Sequence, residues 1–167
     1  MSCQAPISIG KRCAMPAKST EKSGAVVTTV VLDCSVAIPW MIQEQSNAAI
    51  DALFQDGYRS AISLLVPGLW FTECGNTFNE MVKRKRLTLA QAQEGFTTLR
   101  YCRVQADASP TIDVQSRILA LAQIYRLSFY DATYLELAER RQCLLATLDE
   151  DLRTAAASAG VHCLSLS

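Results

Sequence analysis

Short apolar runs alternate with longer amphipathic stretches after Val26, and this alternation limits the possible folds more than any other feature of the sequence. The runs are rich in β-branched residues and predict strands at residues 27–32, 62–66, 104–106, 143–148 and 161–166. Strands that alternate with helices of roughly 10–15 residues form a parallel sheet covered by helices. We therefore predict one α/β domain over residues 26–167.

The clearest helix prediction spans residues 69–85. Its apolar residues recur every three or four positions and form one stripe: Trp70, Cys74, Phe78 and Met81. The same reasoning predicts further helices at residues 46–54, 88–101, 111–125, 130–141 and 149–158. After the first strand we expect only a short helical turn, which Ser35 caps and Pro39 limits.

Residues 1–25 differ from the rest of the chain, since they are rich in Ser, Pro and Lys and show no apolar period. They also lack the continuous hydrophobic stretch of a secretory signal. We interpret them as a flexible N-terminal extension that precedes the domain.

Composition narrows the functional classes. The formal net charge of the 167 residues is zero, so any contact with nucleic acid must come from a local basic patch. Seven cysteines without a CxxC pair, together with one histidine, argue against zinc or a disulfide framework and favour free thiols in a reducing cytoplasm. No apolar run approaches the roughly 18 residues that span a bilayer, so no membrane contact is expected.

Acidic residues follow two of the predicted strands. Asp33 comes directly after Val30–Leu32, and Asp149 follows the strand at 143–148. Parallel strands end at one edge of a sheet, where ligands bind in open α/β folds, so these carboxylates can approach each other. Asp131 begins a helix and faces the positive end of its dipole, although it could simply cap that helix.

Glu73 is the fourth candidate, because it lies among aromatic residues at the margin of the stripe in the helix at 69–85. A carboxylate there is costly to desolvate unless it binds an ion, and a salt bridge to a distant arginine is the alternative explanation. Four converging carboxylates would repel one another unless a divalent cation neutralised them. Oxygen ligands suit Mg²⁺ or Mn²⁺, which could activate water to hydrolyse a phosphodiester.

Three stretches, VVLDCSVAIPW, WFTECGNTF and SFYDATYLELAERRQCLLATLDEDL, resemble the PIN-domain family, in particular its VapC-type toxins. The resemblance covers about residues 28–167. It implies a three-layer α/β/α sandwich with a mainly parallel sheet of four to five strands, and a Mg²⁺- or Mn²⁺-dependent endoribonuclease. It also implies an RNA substrate, a cognate antitoxin protein, a homodimer and a cytoplasmic location.

The resemblance also assigns roles to individual residues. The catalytic acids it implies are Asp33, Glu73, Asp131 and Asp149, of which Asp33, Asp131 and Asp149 hold the metal. Supporting positions carry over to Ser35, Asn76 and Thr147. Asp151 is a rival or helper to Asp149, which fits the family's T-x-D pattern and is our choice.

Two surfaces are candidates for partners. The run Lys83, Arg84, Lys85 and Arg86 is a candidate RNA contact, since residues 83–103 carry six bases and one acid; it could equally be a solvated helix end. Phe71, Leu89 and Phe96 could bind a second copy or an amphipathic antitoxin segment. A PIN-like module that binds RNA or an antitoxin without cutting is the alternative function.

Overall fold

The computed structural model describes residues 27–42 and 45–166, so the predicted N-terminal extension lies outside the described residues. Four parallel strands form one sheet in the order β3-β2-β1-β4. Their bounds are β1 Thr28–Leu32, β2 Ile62–Val66, β3 Gln105–Ala106 and β4 Leu144–Ala146. The all-parallel sheet agrees with the predicted alternation of strands and helices.

Seven α-helices connect and cover these strands in the described part of the chain. They are α1 Cys34–Met41, α2 Ala48–Tyr58, α3 Trp70–Lys83, α4 Leu89–Leu99, α5 Ile112–Tyr125, α6 Phe129–Arg141 and α7 Glu150–Ser158. A 3₁₀ turn, Arg100–Cys102, follows α4. None of the helices in the described ranges is long and apolar enough to cross a bilayer.

Both faces of the sheet are covered. Val30, Val31 and Leu32 are consecutive in β1 and all are buried, as are the last three residues of β2. Successive side chains of a strand point to opposite faces, so a consecutive buried run requires helices on each side. The architecture is therefore the predicted three-layer α/β/α sandwich.

The helix α3 packs against the core through the predicted apolar stripe, whose four residues are all buried. Its neighbour α4 begins at Thr88, which forms a capping box with Gln91. Gly95 allows the close approach of these helices, because a Cβ at that position would overlap the ring of Phe78. The long apolar stripe was thus a reliable guide to this helix pair.

The prediction for the helix after the first strand is wrong, and so is the one for the last strand, described below. The helix α1 does not stop at Pro39 but continues to Met41, and its N-cap position is held by Asp33 rather than Ser35. Burial of Ile38 and Met41 compensates for the backbone hydrogen bond that Pro39 cannot donate.

The predicted strand at 161–166 contains only one bridge, between Leu145 and Cys163. In it the Leu145 amide donates to the His162 carbonyl over 2.9 Å, and the Leu164 amide donates to Leu145 over 2.8 Å. Because β4 has only three residues, just its middle residue presents both backbone groups to this side. The sheet therefore has four strands and a single-residue extension at its edge.

Candidate active site

Each of the four predicted acids lies at the N-terminal end of a helix. Asp33 and Asp149 occupy the N-cap positions of α1 and α7, while Glu73 and Asp131 lie in the first turns of α3 and α6. The positive end of a helix dipole stabilises an anion at such positions. The fold thus offsets part of the negative charge that it collects there.

Asp33 is the most deeply buried of the four, with 4% of its surface exposed. Its Oδ2 accepts hydrogen bonds from Ser35 Oγ at 2.5 Å and from Thr147 Oγ1 at 2.8 Å. Burial raises the pKa of Asp33; the two hydroxyls oppose this effect and the charge of Asp131 adds to it. Among the described residues no lysine or arginine forms an ion pair with any of the four acids.

The two hydroxyls also join Asp33 to the segment before α7. Ser35 Oγ accepts from the Leu148 amide at 3.0 Å, and Thr147 Oγ1 accepts from the Asp149 amide at 3.0 Å. Each hydroxyl therefore donates to the carboxylate and accepts from the backbone at once. This double use explains the geometry of the T-x-D pattern, since the threonine orients the Asp33 carboxylate and the backbone of Asp149 together.

Glu73 is bound by a tyrosine rather than by the arginine considered from the sequence. The Tyr134 hydroxyl donates to Glu73 Oε2, and Tyr134 itself is fully buried. Burial raises the pKa of Glu73 to about 7; the Tyr134 hydrogen bond lowers it, and the charges of Asp33 and Asp131 raise it further. Asp33, Glu73 and Asp131 are therefore close enough to repel one another.

Tyr134 was missed from the sequence. It lies three residues after Asp131 in α6, on the same face of that helix, and this spacing was the available signal. Burial raises the pKa of Tyr134 far above its usual range, so the phenol stays protonated and acts as a hydrogen-bond donor.

Asp131 does not cap its helix, because Ser128 holds the N-cap position. Ser128 Oγ donates to Asp131 Oδ2 at 2.6 Å and accepts from the Asp131 amide at 3.0 Å. Asp131 lies three residues after the cap and is only partly exposed. The serine therefore orients this carboxylate as Thr147 orients Asp33.

The structure links Asp149 to the other acids less directly. Its Oδ1 accepts from the Leu152 amide at 2.7 Å, which caps α7, and its contact with Asp33 passes through Thr147. Two residues separate it from the end of β4, so the prediction that it directly ends the strand is wrong. Asp151 is exposed in the first turn of α7, and Asn76 is exposed one turn after Glu73.

The four acids, which we call the acidic group, do not form a closed metal shell. Charge interactions connect Asp33, Glu73 and Asp131, whereas Thr147 connects Asp149 to Asp33. Within residues 27–42 and 45–166 no three acidic, histidine or cysteine side chains are close enough to form a complete ligand cluster. The donors are nonetheless all oxygens, and their negative charge lacks a cationic side chain in the described ranges. This donor set fits a hard divalent cation. The catalytic and metal-binding roles of these residues remain predictions.

The basic run lies at the other end of α3. Lys83, Arg84, Lys85 and Arg86 are all exposed, and Lys83 forms a surface ion pair with Glu80 at 2.8 Å. Lys83 is ten positions after Glu73, a distance of about 15 Å along the helix axis. The basic run is therefore outside the acidic group, but one extended polymer chain could contact both.

Comparison with known proteins agrees with this fold. The sequence model of the family described as PIN domain matches residues 30–158, which include all four acids. The chain therefore belongs to the PIN-domain family.

Within the family the similarity is to VapC proteins, as the sequence motifs predicted. The Mycobacterium tuberculosis protein named ribonuclease VapC9 is 33% identical over 113 residues, which cover 65% of this chain and 86% of VapC9.

Solved structures share the fold. The crystal structure of PAE2754 from Pyrobaculum aerophilum has a TM-score of 0.61 and 21% identity, covering 78% of this chain and 87% of that one. VapC20 of Mycobacterium tuberculosis, described as a sarcin-ricin loop cleaving toxin, has a TM-score of 0.50 and 15% identity, covering 75% and 94%.

Proposed function

We propose that this protein is a metal-dependent endoribonuclease and the toxin of a type II toxin–antitoxin pair. The observation that carries the proposal is the buried Asp33 carboxylate, which lacks a cationic partner in the described residues and is charge-coupled to Glu73 and Asp131. An uncompensated buried carboxylate is costly, and it persists where a site requires it. The similarity to a protein named as a ribonuclease supports the same reading.

In this proposal Asp33, Asp131 and Asp149 hold Mg²⁺ or Mn²⁺. Such an ion, when bound, would activate a water molecule and stabilise negative charge on the phosphate. Ser35 and Thr147 hold the Asp33 carboxylate in one orientation, so little motion is needed when the substrate arrives. Glu73, whose Oε2 accepts from the Tyr134 hydroxyl, would be held in position to take up or return a proton during the reaction.

The test is cleavage of total RNA by the purified protein with Mg²⁺ and with EDTA. We expect cleavage only with the metal, and a loss of about 1,000-fold or more for Asp33→Asn, equivalent to roughly 4 kcal/mol of transition-state stabilisation. Asp113→Asn is the matched control, because Asp113 is an exposed acid in the first turn of α5. Cleavage that survives both EDTA and Asp33→Asn would contradict the proposal, and binding without cleavage would favour the non-catalytic module.

We further propose that Lys83, Arg84, Lys85 and Arg86 contact RNA phosphates. Reversing charge with Lys83→Glu and Arg84→Glu should weaken binding and reduce the dependence of log K on log salt, because fewer counterions are released. Arg59→Glu is the control, since Arg59 is an exposed arginine at the end of α2. An unchanged salt slope for the double variant would exclude this run.

The exposed apolar residues Phe71, Leu89 and Phe96 are our candidate surface for a homodimer or for the cognate antitoxin. Sedimentation of the wild type and of Phe96→Ser at micromolar concentration tests the homodimer, which the substitution should weaken. We place the protein in the cytoplasm, where RNA is present and where the five cysteines of the described residues would remain free thiols, as they are in the structure.

A further inference from the structure

Two consecutive aromatic residues are exposed immediately before Asp131. Phe129 has 41% of its surface exposed and Tyr130 has 60%, and together they form most of the first turn of α6. Leu148 is likewise 39% exposed immediately before Asp149. Single exposed apolar residues are ordinary, but here they adjoin two separate members of the acidic group.

The helical spacing places Tyr130 on the side of α6 that faces Glu73. Tyr130 and Tyr134 are four residues apart and therefore share a helix face, and Tyr134 donates its hydroxyl to Glu73. The Cα–Cβ bonds of a helix tilt toward its N-terminus, so Tyr130 lies one turn further out, toward solvent. The phenol ring of Tyr130 is thus positioned at the rim of the acidic group.

We propose that Tyr130 stacks on an unpaired base of the RNA whose backbone lies at the carboxylates. This inference rests on the proposed nuclease function and assigns a base-binding role to Tyr130 at the edge of that site.

Physical chemistry favours a base at this rim. The carboxylates themselves repel phosphate groups, and the basic run begins about 15 Å away along α3. Besides the proposed metal, a nucleotide bound here would therefore depend on contacts other than charge. Aromatic rings provide such contacts by stacking on the faces of bases, and they do so for any base. In a duplex those faces are covered by neighbouring pairs, whereas unpaired bases can turn outward.

The experiment measures binding by fluorescence anisotropy, with a labelled 12-nucleotide single-stranded RNA and the blunt duplex of the same sequence. All proteins carry Asp33→Asn, so that the probe stays intact. Tyr130→Ala should weaken single-strand binding about tenfold, as expected for the loss of one stacked base. It should leave duplex binding within twofold, and Tyr130→Phe, which keeps the ring, should retain wild-type affinity. Ile124→Ala is the control for loss of exposed apolar area, because Ile124 is 68% exposed on α5.

Each outcome decides the proposal. Unchanged single-strand affinity in Tyr130→Ala, or equal weakening of single-strand and duplex binding, would overturn the proposal. It would also be overturned if Tyr130→Ala changed only the oligomeric state seen in sedimentation, since the rim would then bind protein. Failure here is separable from failure of the nuclease proposal, because this assay measures no cleavage. If the wild type cleaves RNA and its affinity does not depend on Tyr130, the stacking proposal is rejected and the nuclease proposal stands.

Discussion

Two groups of acids in this protein have opposite surroundings. Glu136 in α6 is 1% exposed, and its Oε1 accepts from Arg140 Nε at 2.9 Å. Arg140 also binds Asp107 at 2.7 Å, and Arg141 binds the second oxygen of Asp107 at 2.8 Å. We call these four residues the arginine network. The acidic group around Asp33 instead accepts hydrogen bonds from hydroxyls and backbone amides, and none of its members pairs with a lysine or arginine of the described residues.

The pKa values reflect this difference. Burial alone would raise the pKa of Asp107, but the hydrogen bonds and charges of Arg140 and Arg141 hold it below its usual value. The pKa of Glu73 is instead raised to about 7, because burial and neighbouring negative charges outweigh its one hydrogen bond. An internal cation thus completes the arginine network, whereas the acidic group is suited to a cation from solution.

Breaking the arginine network should have the largest effect on stability. Arg140→Met leaves Glu136 buried without its partner, and we expect a loss of about 3 kcal/mol in the free energy of unfolding, measured with urea. Asp33→Asn should instead stabilise the metal-free protein, because it removes a buried charge that has no cationic partner in the described residues. Arg153→Met, which breaks an exposed pair with Glu150, is the control and should change little. Equal destabilisation by Arg140→Met and Asp33→Asn would show that both groups are compensated internally.

Adding a divalent cation should have the second-largest effect on stability. Mn²⁺ at one hundred times its Kd should add about 2.7 kcal/mol to the free energy of unfolding, because it binds only the folded acidic group. Thermal melts with and without Mn²⁺ measure the effect. Asp113→Asn should retain it and Asp33→Asn should lose it. Equal stabilisation of both variants would mean that the ion binds elsewhere.

Removing the metal should expose a pH dependence set by Glu73. Its pKa is about 7 in the folded protein, against an ordinary value of 4.5, so the folded state binds the proton more tightly. The contribution of Glu73 to stability is therefore fully present below about pH 4.5 and is lost as the pH rises through 7. After discounting for partial exposure of Glu73, we expect a decline of about 1 to 2 kcal/mol.

Glu73→Gln should remove that decline, whereas Glu94→Gln, which changes an exposed acid on α4, should preserve it. The measurement is urea unfolding in EDTA at several values between pH 5 and pH 8. Parallel curves for the wild type and Glu73→Gln would show that the negative charge at Glu73 is compensated after all.

The contrast also explains what could be predicted from the sequence. The strands β1 and β2 were recognisable because both faces are covered, so they consist of unbroken apolar runs. Asp33 could be found because it interrupts such a run at the sheet edge. The contact between Tyr134 and Glu73 could not, since it joins residues 61 positions apart and depends on how α6 packs against α3. The passage of α1 through Pro39 depends in the same way on tertiary burial that overrides a local preference.

The smallest stability effect is expected where an acid has two roles. Asp149 caps α7, and asparagine caps a helix about as well as aspartate, so Asp149→Asn should change the free energy of unfolding by less than about 0.5 kcal/mol. RNA cleavage should nevertheless fall by about 100-fold or more, because the negative charge is lost beside Thr147. Asp151→Asn, which alters an exposed acid of the same turn, should leave cleavage within about threefold, the range of a surface charge change. The reverse result would make Asp151 the fourth catalytic acid and leave Asp149 as a helix cap. Asp149 would then resemble the acids of the arginine network, whose charge is compensated within the protein.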